Sequence, residues 1–371
     1  MKKKILFVFG TRPEIIKLYP VISEFKKKSN FITKIFNTQQ HVEILLPLLK
    51  TYNLKVDYIS NVKNKNITLS KFSSKLLSSL DSHFNKHKYD YVFVLGDTAT
   101  AFMGAQAAYN NKINVAYIES GLRTYNHLHP WPEESYRRMI SVIAKINFAP
   151  SHVSAKNLIS EKIDKETVHI VGNPVIDCIK QTLSKKIYLK HPDFNFYKEI
   201  LKKKKLILIT MHRRENQNQN LINFYIAIKE IIKNNKDYFF LFSVHPSPYL
   251  RKINKKYLGK FNKENFKCVN FIDHMMFCYF MSKSELIISD SGGIQEEASF
   301  LGKPMLLMRE YSERSEVINK NIKLSSFEIN KFTKDFNDML NLKNQKKYQT
   351  KSFPYGKGDA AKKIARIIGN D

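Results

Sequence analysis

Along the first half of the chain, short apolar runs alternate with segments whose apolar residues recur at helical spacing. The runs Lys4–Phe9, Thr33–Asn37, Tyr89–Leu95, Asn114–Ile118, Ile146–Ala149 and Val168–Val171 predict strands. Between them, Ile15–Lys27, Leu69–His83 and Thr100–Asn110 predict helices. Strands separated by helices of this length form right-handed βαβ units on a parallel sheet. After Gly172-Asn173-Pro174 a second series begins, with strands predicted at Leu206–Thr210, Tyr238–Val244, Cys268–Ile272, Leu286–Ser289 and Met305–Met308. The fold class is therefore α/β, with two Rossmann-like, doubly wound parallel-sheet domains over residues 1–172 and 173–353. Domains of this kind are expected to face one cleft with the C-terminal ends of their strands. The lysine-rich stretch Ser184–Lys205 is expected to connect them, and Pro354–Asp371 reads as a turn followed by an amphipathic helix over Ala360–Ile368.

The loops that follow these strands carry the chemistry. Ile287-Ile288-Ser289 is β-prone, Asp290-Ser291-Gly292-Gly293 breaks it, and Ile294–Leu301 predicts a helix that Gly302 stops. A strand turning through paired glycines into a helix is a phosphate cradle, since unpaired N–H groups and the positive dipole end face the anion. Gly10-Thr11-Arg12-Pro13-Glu14 opens an earlier helix with capping-box spacing and places Arg12 and Lys17 near its start. Asp97 follows one strand and Glu119 the next, and Glu133 sits at a helix start in the proline-stiffened loop His129-Pro130-Trp131-Pro132. Crowded carboxylates separate in pKa, which yields an acid and a base from one residue type. His212 with Arg213 and Arg214 forms a cationic cluster after Leu206–Thr210, His245 follows the next strand, and Arg314 follows the last.

Composition narrows the class. A chain of 371 residues with 43% apolar and 12% aromatic residues suits two globular domains, not disorder. No apolar run approaches the roughly 20 residues that span a bilayer. Met1–Gly10 reads as a first strand and not as a signal peptide, its apolar stretch being short and lacking a cleavage site. Three cysteines without Cys-x-x-Cys spacing suit a reducing, cytoplasmic setting. The eleven histidines give no zinc reading, no paired His or Cys/His motif standing out, so no metal is expected. The net charge of +29 invites a nucleic-acid reading, but only ten of the 62 basic residues are Arg, and the lysines are scattered in short runs. Solvated charged faces are expected, with neither nucleic-acid binding nor membrane insertion.

Taken in order, GTRPE at Gly10–Glu14, Gln40-His41, the Asp97 loop, Glu119–Thr124, Pro130–Glu134, His212–Asn216, Asp290–Glu297, Gly302-Lys303-Pro304 and Arg314 resemble the non-hydrolysing UDP-N-acetylglucosamine 2-epimerases over nearly the whole chain. The resemblance implies a glycosyltransferase-B-like fold whose C-terminal helix, residues 354–371, returns to the first domain. It implies a homodimer that needs no cofactor. The reaction it implies is removal of the sugar C2 proton, expulsion of UDP to leave a 2-acetamidoglucal, and re-addition to give UDP-N-acetylmannosamine. Asp97, Glu119, Glu133 and His212 match the family's catalytic positions. Arg12, Lys17, Phe277, Ser291, Gly292, Gly293, Glu297 and Arg314 match its substrate contacts, Glu297 for the ribose and Phe277 for the uracil. Gln40, His41, Arg213 and His245 are additional or allosteric candidates. Val42 stands where the family usually has Arg, and Tyr136, expected near the reacting sugar, where it has Asn. These departures keep open a modified UDP-2-acetamido sugar as substrate. A hydrolysing epimerase and a glycosyltransferase remain further alternatives.

Overall fold

The computed structural model describes residues 2–62, 67–213, 216–217, 219–245, 247–310, 312–341 and 347–371. Arg214 and Glu215 lie outside these residues, as does the side chain of Val42. The chain divides into two compact units, the first made of Met1–Cys178 and Pro354–Asp371, the second of Ile179–Phe353.

In the first unit, β1 (Lys3–Phe9), β2 (Phe31–Asn37), β3 (Tyr58–Ile59), β4 (Tyr91–Leu95), β5 (Asn114–Ile118), β6 (Ile146–Ala149) and β7 (Val168–Ile170) form a seven-stranded sheet in the order β3-β2-β1-β4-β5-β6-β7. Every pairing is parallel, with Ile5 opposite Thr33 on one side and Tyr91 on the other. The sheet is flanked by α1 (Arg12–Lys26), α2 (Val42–Thr51), α3 (Leu69–Lys86), α4 (Ala99–Asn110), α5 (Glu133–Ile143) and α6 (His152–Ser160). Strands covered on both faces must be apolar throughout and not alternating, and β4 is accordingly buried at all five residues. Phe7 stacks on Phe93 across β1 and β4, their ring centroids 4.7 Å apart.

The second unit repeats the plan. Here β8 (Lys205–Met211), β9 (Tyr238–Val244), β10 (Phe266–Asn270), β11 (Ser284–Ser289), β12 (Met305–Met308) and β13 (Ile322–Ser325) lie parallel in the order β10-β9-β8-β11-β12-β13. Helix α7 (Pro174–Ser184) crosses the boundary between the units. It is followed by α8 (Phe194–Lys203), α9 (Gln219–Asn234), α10 (Pro248–Leu258), α11 (His274–Lys283), α12 (Gly292–Leu301), α13 (Ile329–Leu340) and α14 (Ala360–Asn370). In both sheets the order reverses beside the first strand of the unit, between β1 and β4 and between β8 and β11. Such switch points open a crevice at the strand ends where doubly wound folds bind ligands.

Two differences from the sequence reading have physical causes. Strand β3 is two residues long and β13 is half polar, so neither carries the apolar signature of its neighbours. Ser184–Lys205 is not a bare connector: it holds α8, whose Phe194 packs edge-on to Tyr279 of α11. Gly302 does end α12, adopting φ 67°, a left-handed conformation in which a side chain would be strained.

The closing segment completes the first unit. Helix α14 packs on α1, and Lys3 Nζ donates to the Ile368 carbonyl at 2.9 Å. The Asp177 carboxylate accepts the N–H groups of Ala360 and Ala361, each at 3.1 Å, at the opening turn of α14. Burial pushes the Asp177 carboxyl up to about 6 from its ordinary 3.8, the two N–H donors opposing the rise. Among the described residues no helix is long and apolar enough to cross a membrane.

The folded state thus holds the Asp177 proton more tightly than the unfolded chain does. Its contribution to stability is fully present below pH 3.8 and is lost as pH rises through about 6. Asp177→Asn is expected to remove that falling component from urea-unfolding free energies measured across this window. An unchanged slope would rule out Asp177 as its source.

Candidate active site

At the switch point of the first unit, a short helix entry brings the loops after β1 and β4 together. Glu14, buried in the first turn of α1, accepts the N–H groups of Gly10 and Thr11 at 2.9 and 2.7 Å and the Thr98 hydroxyl at 2.6 Å. Burial holds its carboxyl above the usual range, these donors opposing the shift. Gln40 ties in from the loop after β2, its Oε1 accepting the Thr100 hydroxyl at 2.8 Å. His41 caps α2 and is exposed, its backbone N–H donating to the Gly10 carbonyl at 2.8 Å. Arg12 lies half-buried in the first turn of α1.

Two of the expected acids sit side by side here. Glu119, just past β5, is held at φ 68°, a strained backbone for a glutamate and one that a surrounding network must maintain. Lys17 Nζ lies 2.6 Å from both of its carboxylate oxygens, and Asn173 Nδ2 donates to it at 2.9 Å. A methyl group on Gly96 would stand 3.3 Å from Glu119 Oε2, and Asp97 follows Gly96 at the end of the strand beside that of Glu119. Arg137 of α5 donates to Asp97 through Nε and Nη2 and reaches Glu134 at 3.2 Å. Glu134 also accepts the N–H groups of Thr124 and Tyr125, at 3.0 and 3.1 Å. Glu133 is the first residue of α5 and half-buried. Arg123 turns away to Glu161, both oxygens at 2.9 Å, and holds structure instead.

Tyr136 also lies on α5, within electrostatic reach of Glu133. It stacks on Phe102 of α4, centroids 4.8 Å apart, and packs against the apolar core of the first unit. Its position in α5 follows the core-facing stripe, one turn before the buried Ile140, so the substitution is absorbed by packing.

At the switch point of the second unit, one buried carboxylate joins two loops. Asp290, directly after β11, accepts the backbone N–H groups of His212 and Arg213 at 3.0 and 2.9 Å and the Asn216 side chain at 3.1 Å. His212 Nδ1 lies 3.3 Å from Asp290 Oδ1. A proton on Nδ1 satisfies that contact and leaves Nε2 as the reactive nitrogen. The His245 ring stacks on His212, centroids 5.7 Å apart.

Ser291 caps α12, and an ionic web lies against the helix start. Glu313 faces Arg309 at 3.0 Å, Arg314 at 2.7 Å and Arg213 at 3.6 Å, and Arg314 also holds Glu296. A side chain on Gly292 would meet the tips of Glu313 at 2.8 Å and Arg314 at 2.9 Å, so it would displace this ionic web. A methyl group on Gly293 would meet nothing within 4 Å. Three guanidinium groups gather here with the carboxylates of Asp290, Glu296 and Glu313, beside a helix N-terminus whose N–H groups and positive dipole end suit an anion. Phe277 is half-buried on α11, and Glu297, buried on α12, lies 3.7 Å from His274.

Sequence reasoning missed the supporting residues Asn173, Glu134, Arg137, Glu296, Arg309 and Glu313 as site components. Their partners lie up to several tens of residues away, and no local pattern marks them. The histidine spacing also held more than was read from it: His83/His87 and His274/Cys278 are one-turn pairs, and the second gains a third member from another helix.

Two doubly wound units, each with charged groups gathered at its switch point, fit the glycosyltransferase-B-like class of fold. A family model for UDP-N-acetylglucosamine 2-epimerase matches residues 23–369. The UDP-N-acetylglucosamine 2-epimerases of Neisseria meningitidis serogroup A and Campylobacter jejuni are each 39% identical, over 98% and 99% of this chain and 99% and 98% of theirs. A crystal structure of the Neisseria meningitidis enzyme bound to UDP-GlcNAc matches with a TM-score of 0.91 at 38% identity, covering 99% of this chain and 100% of that one. The Methanocaldococcus jannaschii enzyme in complex with UDP-GlcNAc and UDP matches at 0.85 and 31% identity, over 100% of both chains. The chain belongs to the UDP-N-acetylglucosamine 2-epimerase family, and its enzyme class is isomerase.

Asp290→Asn places an amide N–H against donors that now share a carboxylate. It is expected to destabilise the protein by about 3 kcal/mol. Urea unfolding measures it, and a loss under about 0.5 kcal/mol, the scale of an ordinary surface change, would show that Asp290 does not tie these loops.

Proposed function

We propose that the protein interconverts UDP-N-acetylglucosamine and UDP-N-acetylmannosamine without net hydrolysis. A base removes the proton at C2, the electron pair of that bond forms the C1=C2 double bond, and the C1–O bond breaks with its electrons going to UDP. UDP then adds back at C1 and a proton returns to the opposite face of C2. Removing a weakly acidic C–H needs a positioned base, and the return needs a second group on the other face. Asp97, Glu119 and Glu133 are assigned to these transfers, with Lys17 and Asn173 orienting Glu119 and Arg137 orienting Asp97. UDP is assigned to the second unit: its diphosphate to Ser291, Gly292 and Gly293 with Arg213, Arg314 and His212, its ribose to Glu297 and its uracil to Phe277. Arg12 is assigned to the same diphosphate.

The observation that carries this reading is the start of α12, where Arg213, Arg309 and Arg314 gather beside a helix N-terminus with open space around Gly293. An enzyme that must keep a departed UDP needs such a grip on an anion throughout the cycle. The packing of Tyr136 against Phe102 supports the unmodified sugar.

Incubation with UDP-N-acetylglucosamine in deuterated water is expected to give UDP-N-acetylmannosamine carrying deuterium at C2, read by NMR. Glu119→Gln is expected to slow this exchange by about 10²–10⁴-fold. Release of free N-acetylmannosamine would make the enzyme hydrolysing, and recovery of substrate without exchange would end the proposal. Gly293→Ala tests the phosphate niche separately. With open space around this position, alanine is expected to stabilise the fold by about 0.5 kcal/mol yet raise KM about tenfold. An unaltered KM would move the diphosphate elsewhere.

A further inference from the structure

We propose that His274, Cys278 and Glu297 form a binding site for a borderline-soft divalent cation of the zinc class. His274 and Cys278 stand one turn apart on α11 and so share a face, and Glu297 comes from α12. His274 Nε2 lies 3.6 Å from Cys278 Sγ and 3.7 Å from Glu297 Oε1. The candidate donor atoms of all three residues lie within 4.8 Å of one another. Tetrahedral zinc bonds sulfur at about 2.3 Å and nitrogen or oxygen at about 2.0–2.2 Å, which sets donor-to-donor edges of roughly 3.4–3.6 Å. Two edges already have nearly that length, and rotamer adjustment of Glu297 can close the third.

Chemistry favours the same class of ion. An imidazole, a thiolate and a carboxylate suit zinc or cobalt and not the harder magnesium or calcium. The thiolate and carboxylate together neutralise a dication, which matters because the three side chains are 5%, 0% and 6% exposed. Three protein donors leave a fourth position for water or ligand.

The consequence rests on the proposed function, which assigns Glu297 to the ribose. A carboxylate that holds a cation is withdrawn from that role, so the cation and the uridine of the substrate would compete. Zinc is thereby an inhibitor competitive with UDP-sugar, and a chelator restores activity.

Titrating the full chain, free of substrate, with cobalt(II) tests the site without reference to activity. The expected result is one equivalent bound, with a thiolate-to-cobalt charge-transfer band in the near ultraviolet. The band is lost in Cys278→Ser, retained in Cys268→Ser, and weakened at least about tenfold in affinity by His274→Gln. Cys278→Val, which keeps the buried volume without a donor, guards against a variant that misfolds for lack of packing. Absence of the band, or its persistence in both Cys278 variants, overturns the site. If the band forms but zinc does not raise the KM for UDP-N-acetylglucosamine, the cation site stands and Glu297 is removed from the ribose assignment.

Discussion

One buried carboxylate organises the second unit. Asp290 is fully enclosed and collects donors from the loop after β8, two of them backbone N–H groups. Strands β8 and β11 are hydrogen-bonded neighbours, so their C-terminal loops start close together, but nothing in sheet pairing dictates how the loops then turn. Asp290 supplies that instruction. By fixing the backbone at His212 and Arg213 it sets where an imidazole and a guanidinium emerge, and its own chain leads directly into α12. The start of α12 and the place of the His212 imidazole are therefore two outputs of a single hydrogen-bonded centre.

The first unit reaches a similar end with a different economy of charge. There the proposed acids and bases are carboxylates, each held by a cation, Glu119 by Lys17 and Asp97 by Arg137. Arg is scarce in this chain, ten residues among 62 basic ones, yet Arg123, Arg137, Arg309 and Arg314 are all nearly buried against carboxylates. A planar guanidinium can satisfy several oxygens at once, whereas a lysine ammonium is more strongly hydrated and is mostly left in solvent. The large positive charge of the chain and the charge pattern of its sites are thus separate matters. The first belongs to lysine-rich surfaces, the second to a few enclosed arginines.

The strands were legible because buried parallel strands are continuously apolar, and β1, β5, β6, β9 and β12 lie at or within one residue of where those runs stand. The glycine stop of α12 was legible for an equally local reason. What escaped was either short and polar, as with β3 and β13, or relational. Asn173 looks like a boundary residue until Glu119 is found beside it, and Glu134 looks like the second half of a repeated pair until Arg137 and two backbone N–H groups converge on it. The packing of Tyr136 on Phe102 was not legible because a motif gives the order of residues but not the helical face each one occupies.

The strained glutamate of the first unit is tied to the last residues of the chain. Asn173, which donates to Glu119, itself donates its backbone N–H to the Tyr355 carbonyl at 2.8 Å. Residues 354–371 emerge from the ribosome only after the whole contiguous second unit has been made. During synthesis the second unit can therefore fold first, while the first waits with the α1 surface uncovered. The contact that holds Asn173 against Glu119 thus depends on the last segment, and a chain truncated before Pro354 would keep Glu119 yet lack the Tyr355 carbonyl that anchors Asn173.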